Sequence, residues 1–255
     1  LLPTSPSAHL ELANVQMAAK DPVSASITLS KALRLDPHYR EAQAALVAAE
    51  LAQNHTARAL QIALEVQKDL PQAPLGYVLE GDTLVATKRY AQAATLYEKA
   101  YTLQKSALVA TKIYNAWAGD GKPDQGETRI KEWLAEHPGD VETRRQLAYS
   151  RIQRGKYALG IEQYRLVLER RPKDAVALNH VAWALHKMKD PTALGYAQQA
   201  HTLNPGDSGF ADTLAQILID TGDLARGLAL LQKAIAGAPS NPEIRFHLAE
   251  ALAKS

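Results

Sequence analysis

Ala32-Leu33-Arg34-Leu35-Asp36-Pro37 is a helical run brought to a stop, and the chain repeats it as Val167-Leu168-Glu169-Arg170-Arg171-Pro172 and Ala200-His201-Thr202-Leu203-Asn204-Pro205. Proline lacks an N–H and disfavours α geometry in the residue before it, so a proline after such a run ends the helix. The stops fall on a ruler, Pro37, Pro71, Pro138, Pro172, Pro205 and Pro239, with gaps of 34, 67, 34, 33 and 34 residues. Lys105 stands where a proline would divide the long gap. A unit of 33 to 34 residues therefore recurs seven times between Pro6 and Asn241, and an eighth begins at Pro242.

A second mark lies about seventeen residues before each stop: Lys20-Asp21-Pro22, Asn54-His55, Gly121-Lys122-Pro123, Gly155-Lys156, Lys189-Asp190-Pro191 and Gly222-Asp223. Each unit is thus two short helices. Asp21-Pro22, Asp190-Pro191 and Asn241-Pro242 place a capping side chain before a proline at the first helical position. Small residues recur where two helices must touch: Ala13, Gly81, Ala148, Ala182, Ala215 and Ala249 at one place, Ala25, Ala59, Ala93, Gly126, Gly160, Ala193 and Gly227 at another, and Ala32, Ala100, Ala200 and Ala234 at a third. Larger residues at helical spacing, such as Leu147 and Ile152 facing Ile161, Tyr164 and Leu168, supply the core.

Composition agrees. Of 255 residues, 45 are Ala and 35 Leu, with two Phe and three Trp, which favours closely packed helices. The net charge of +2 gives no global attraction to nucleic acid or an anionic membrane, so nucleic acid is not an expected partner. Zero cysteines excludes disulfides, Cys-ligated zinc and thiol catalysis in this chain. No run approaches eighteen apolar residues, so no membrane insertion by this chain is expected. Because residue 1 is Leu, the chain reads as a piece excised from something longer, residues 1–5 being a tail.

The repeat pattern resembles the tetratricopeptide repeat (TPR), over essentially the whole chain. Leu214-Ala215, Leu218, Gly227, Leu231, Ala234 and Pro239 follow the family's order of large, small and closing residues. The resemblance implies an all-α, right-handed superhelical solenoid of about seven helix pairs plus a final single helix. The units run 6–39, 40–73, 74–106, 107–140, 141–174, 175–207 and 208–241, with 242–255 an eighth, truncated or capping helix. The fourth unit departs, carrying Tyr114 and Trp133 where small residues are expected, so a local change in packing is expected there. Ordering 34 residues costs on the order of 50 kcal/mol and needs roughly 2,000 Å² of apolar burial, more than one helix pair can supply; stacked pairs cover one another. In the final helix, Ile244, Leu248 and Leu252 form a stripe with no following helix to cover it.

No constellation for catalysis stands out: P-loop, nucleophile-elbow, zinc-protease and dinucleotide motifs are all absent, so no enzyme activity and no cofactor are expected. His180 and His186, six apart, fall on different helix faces, which disfavours a shared metal. The fifth unit is locally basic, with Arg144, Arg145, Arg151, Arg154, Lys156, Arg165, Arg170, Arg171 and Lys173. The expected reading is a solvated exterior; the alternative is a patch for an acidic ligand.

Resemblance to TPR proteins implies that the first helix of each unit lines a concave surface. Its inward places hold Leu10, Asn14, Met17, Ala44, Ala48, Leu51, Val78, Asp82 and Val85 in the first three units, and Thr111, Asn115, Arg145, Tyr149, Ile152, Asn179, Trp183, His186, Asp212, Gln216 and Ile219 in the next four. Among these, Asn115, Arg145, Tyr149, Asn179 and Trp183 make the sharpest candidate site for a protein or peptide ligand: amides pair with an extended backbone, Arg holds a carboxylate, and Tyr and Trp give broad contact. The alternative is that Tyr149 and Trp183 simply pack between helices. The Lys and Asn pair by which chaperone-binding TPR proteins clamp a terminal carboxylate is replaced by Leu10 and Asn14, which argues against a co-chaperone role.

Lys131-Glu132-Trp133-Leu134-Ala135-Glu136-His137-Pro138 and the Ala-rich stacking also resemble the long bacterial TPR lipoproteins of the exosortase/PEP-CTERM system. That resemblance implies a periplasmic, lipid-anchored scaffold in envelope protein sorting or exopolysaccharide assembly. Two alternatives remain: a TPR module within a larger enzyme such as a transferase, or a cytoplasmic adaptor or secretion chaperone.

Overall fold

The computed structural model describes residues 5–255; residues 1–4 of the expected tail lie outside the described residues. Among the described residues there are fifteen α-helices and no strand. Seven pairs follow one another: α1 (Pro6–Ala18) with α2 (Pro22–Leu35), α3 (Arg40–Ala52) with α4 (Thr56–Asp69), α5 (Pro74–Ala86) with α6 (Tyr90–Leu103), α7 (Ala107–Gly119) with α8 (Pro123–Glu136), α9 (Val141–Gln153) with α10 (Tyr157–Arg170), α11 (Ala175–Lys187) with α12 (Ala193–Leu203), and α13 (Ser208–Asp220) with α14 (Leu224–Gly237). A single helix, α15 (Pro242–Ala253), comes last. The chain divides into two compact units, residues 1–137 holding α1 to α8 and residues 138–255 holding α9 to α15.

Each pair reverses direction through the same turn. A residue with left-handed backbone closes every first helix: Lys20, Asn54, Lys88, Gly121, Gly155, Lys189 and Gly222, with φ between 59° and 99°. In all seven, the N–H of that residue returns to the carbonyl three back, and the next N–H returns to the carbonyl five back, as in Lys88 to Val85 and Arg89 to Leu84. This pair of hydrogen bonds satisfies carbonyls that a helix end otherwise leaves open. Glycine adopts the conformation freely; lysine does so at a cost.

Beyond the turn, the paired helices approach at one small residue. Ala25, Ala59, Ala93 and Ala193 are buried, as are Gly126, Gly160 and Gly227. A Cβ on Gly160 would lie 2.5 Å from Ile152 Cγ1 and 3.0 Å from the Ala148 carbonyl oxygen, and one on Gly126 would lie 2.6 Å from Tyr114 Cα. The fourth pair, where a change in packing was expected, thus keeps the same approach: Tyr114 is buried behind Gly126, and Trp133 stacks on His137 at 3.7 Å.

Successive first helices touch one another, α1 with α3 and α3 with α5 in the first unit, and α9, α11, α13 and α15 in sequence in the second. Second helices instead touch the first helix of the next pair. Within each unit the first helices therefore form one continuous face of the stack.

Four expectations are corrected. Asp190 does not cap a helix at Pro191: its carboxylate accepts the Thr192 N–H at 2.9 Å and the Thr192 hydroxyl at 2.6 Å, closing a turn, and α12 starts only at Ala193. Ile152, placed on the ligand-facing side, is buried in the core of the second unit, where Gly160 lets it approach. Arg144 and Arg151 are not exterior: they are 9% and 6% exposed, and Arg144 donates to Gln163 Oε1 at 2.9 Å and to the Pro138 carbonyl at 3.3 Å. The stripe on α15 is covered on one side, because Ile244 is buried and Leu248 packs with Leu231 and Ala234 of α14, leaving only Leu252 exposed.

Replacing Lys88 by Gly removes the left-handed strain of a non-glycine residue, about 1–2 kcal/mol, against roughly 0.5–1 of added chain entropy. The first unit gains a net of about 0.5–1 kcal/mol of stability, read as a higher urea midpoint. Gly126→Ala does the reverse: overpacking against the Tyr114 backbone costs about 1–3 kcal/mol and outweighs the gain of roughly 1 in helix propensity. An unchanged or raised midpoint for Gly126→Ala would contradict the close approach.

Candidate functional site

On the inner side of the second unit a cleft of about 700 Å³ runs across α9, α11, α13 and α15. Helical spacing places its walls: Tyr149 and Gln153 from α9, Asn179, Trp183 and Lys187 from α11, Asp212 and Thr213 from α13, and Phe246 and His247 from α15. Residues three to four apart on neighbouring helices thus form a continuous lining. Volumes of this size suit a peptide segment or drug-sized ligand.

Three of the five residues singled out in the sequence meet here. Tyr149 is 46% exposed, its ring 5.2 Å from that of His180. Trp183 is edge-on to Tyr157 at 5.7 Å and carries the Lys187 ammonium over its face at 5.3 Å. One edge of the indole is therefore structural while its face remains in the cleft. Asn179 Oδ1 is buried among the described residues without a hydrogen-bond partner, an acceptor that costs free energy until a donor reaches it.

The other two sit differently. Arg145, one helical turn before Tyr149, is engaged by acids of its own unit, with Nη1 3.3 Å from Glu142 and Nε 3.7 Å from Asp174. Asn115 belongs to α7, in the first unit, where it is exposed. In that unit the inward positions Leu10, Met17, Ala44 and Leu51 pack against the core, and Asp82 accepts the Tyr97 hydroxyl at 2.6 Å and pairs with Lys112.

Sequence reasoning missed His180, Phe246 and His247 as lining residues. Phe246 lies 34 residues after Asp212, one repeat further on, so extending the register into the final helix would have found it. His180 is sandwiched between Tyr149 and Tyr164, the latter ring 5.3 Å away and stacked. Burial, reinforced by nearby Arg145 and partly opposed by Asp174, pushes its imidazole below the usual histidine range. His186, 3.1 Å from Asp220, is also lowered, chiefly by burial. Asp212 moves the opposite way: burial raises its carboxyl despite the His247 hydrogen bond. Among the described residues no group of three or more His, Asp or Glu is placed to hold a metal ion, and no helix is long and apolar enough to cross a membrane.

Comparison with known proteins identifies the repeat. Two family profiles, both described as tetratricopeptide repeat, match residues 76–106 and 213–255. A TPR repeat-containing protein of Pseudomonas aeruginosa is 29% identical over 207 residues, which is 78% of this chain; the chain spans about a third (34%) of that relative's length. Among solved structures, a tetratricopeptide repeat protein from Parabacteroides merdae superposes with a TM-score of 0.61 at 14% identity, over 97% of this chain and 98% of that one. Yeast Tom70 gives 0.67 at 18% identity, over 97% of this chain and 53% of that one. YrrB, described as a TPR protein with an unusual peptide-binding site, gives 0.55 at 14% identity over 72% of this chain and 96% of that one. The fold is the TPR solenoid.

Because His180 is held neutral in the folded unit, the unfolded chain binds more protons once pH falls below about 6.5. Its contribution to stability is intact above that value and is lost as pH falls toward its lowered folded value; His186 acts in the same direction. Asp212, with a raised folded value, acts oppositely and in a more acidic window, above 3.8. Hydrogen-exchange protection of α9 and α11 therefore drops between about pH 7 and pH 5.5, and His180→Gln flattens that drop. Equal pH dependence in the variant would refute the assignment.

Proposed function

We propose that this chain of tetratricopeptide repeats is a non-catalytic scaffold that binds an extended segment of another protein along the inner side of its second unit. The observation that carries the reading is the orphan Asn179 acceptor in a cleft flanked by partly exposed rings. An extended peptide carries backbone N–H donors along its length, and one of these would satisfy Asn179 while its side chains meet Tyr149, Trp183 and Phe246. Aromatic residues supply contact area with few rotors to freeze, which is why they dominate binding hot spots. The description of YrrB as having a peptide-binding site supports the same class of ligand.

As the setting for this scaffold we carry forward the periplasmic, lipid-anchored one, in envelope protein sorting or exopolysaccharide assembly. Its support is the resemblance of residues 131–138 and of the Ala-rich stacking to exosortase-system lipoproteins. Fractionating the native host with an antibody to this chain separates that setting from a cytoplasmic adaptor. A catalytic domain in the same polypeptide would favour the third possibility, a module of a larger enzyme.

Peptides selected from a random nonapeptide display library on the full chain provide the probe. Trp183→Ala lowers their affinity by roughly 30-fold or more, as expected of a central aromatic anchor worth about 2 kcal/mol. Asn179→Ala lowers it less. Selected peptides that bind Trp183→Ala and the parent chain equally would place recognition outside this cleft.

A further inference from the structure

Resting on that reading, the geometry points to a ligand segment that carries a lysine or arginine side chain, seated against the Asp212 and Glu243 carboxylates of the cleft. Asp212 is the central observation. Its side chain is 14% exposed, and its hydrogen-bond partner is the imidazole Nδ1 of His247, 2.9 and 3.0 Å from its two oxygens. No lysine or arginine among the described residues pairs with it. Nor does it serve the start of α13, where Asp207 already accepts the Gly209 and Phe210 N–H groups at 2.9 and 3.0 Å. A carboxylate withdrawn from water is costly, and here its only basic partner is an imidazole, a counter-charge only when that ring is protonated.

Glu243, on the first turn of α15, lines the same cleft and adds a second negative charge felt by Asp212. The start of a helix alone favours an acid at that place; the partly buried Asp212 facing it has no such explanation. Burial and the nearby Glu243 raise the Asp212 carboxyl, with His247 opposing them. Two cations close to the cleft are engaged elsewhere: Arg145 with Glu142 and Asp174, and the Lys187 ammonium with the Trp183 face. That last contact shows the lining accepting a cation against a ring.

The chemistry of a lysine end matches the vacancies. An ammonium has three donors and no acceptor, and the cleft offers it two carboxylates. Its methylene stem suits an apolar rim, here the 64% exposed Phe246 ring. An acidic segment would instead face two like charges.

The test uses the nonapeptides selected on the full chain, resynthesised with norleucine in place of lysine. The expected result is a recurrent Lys or Arg at one position, a loss of about tenfold or more on norleucine replacement, and a similar loss for the lysine peptide on Asp212→Asn. The norleucine peptide should bind Asp212→Asn and the parent chain within about threefold of each other. Glu243→Gln, on the exposed first turn of α15, repeats the comparison if Asp212→Asn lowers the melting temperature. Selected peptides enriched in Asp or Glu, or lacking any basic preference, overturn the proposal while leaving the peptide groove standing. Equal losses for lysine and norleucine peptides on both variants overturn it too, as the mark of a structural role. Failure to select any peptide that prefers the parent chain over Trp183→Ala removes the groove itself.

Discussion

The contact on which everything else depends is the approach of two antiparallel helices at a single small residue in each repeat. At Gly126 and Gly160 even one methyl group would collide with backbone or core atoms of the partner helix. That approach fixes how far apart the two helices lie, and the left-handed turn at Lys20, Asn54, Lys88, Gly121, Gly155, Lys189 and Gly222 fixes how the chain returns. With both set, each pair is a near copy of the last, and copies stacked in register bring the first helices into mutual contact. The groove is a by-product of that crowding, not a separately built feature.

Two kinds of residue share the inner side. Some, such as Ile152 in the second unit and Leu10, Met17 and Leu51 in the first, are drawn into the packing between helices. Others remain in the cleft with unfinished chemistry: an acceptor without a donor at Asn179 and, at Asp212, a carboxylate whose only basic partner is the His247 imidazole. In the first unit the comparable carboxylate, Asp82, is finished, because Tyr97 and Lys112 supply its hydrogen bond and its counter-charge. The contrast between Asp82 and Asp212 is the clearest electrostatic difference between inward positions of the two units.

Helix pairing was legible in the sequence because its determinants are local. Proline stops, glycine turns and small contact residues each act within a few positions, and they recur at one period. Lys88 shows the limit: it takes the left-handed turn with neither glycine nor asparagine to announce it, since the packed pair imposes the conformation on whatever residue stands there. Asp190-Pro191 shows another, because a capping dipeptide serves equally well to close a turn before the helix begins. The site was half legible. Tyr149, Asn179 and Trp183 followed from register, whereas His247 and Phe246 required extending that register into the last helix, and the burial of Arg144 follows from a Gln163 partner nineteen residues away.

The walls of the cleft come from four helices that are far apart along the chain, from Tyr149 to His247. An occupant lying across them would act as a tie rod along the stack, linking pairs that otherwise hold only their immediate neighbours. Under tension such a stack yields one pair at a time. Filling the cleft would make α9 through α15 yield together, so the bound form should be markedly stiffer along its length than the empty one.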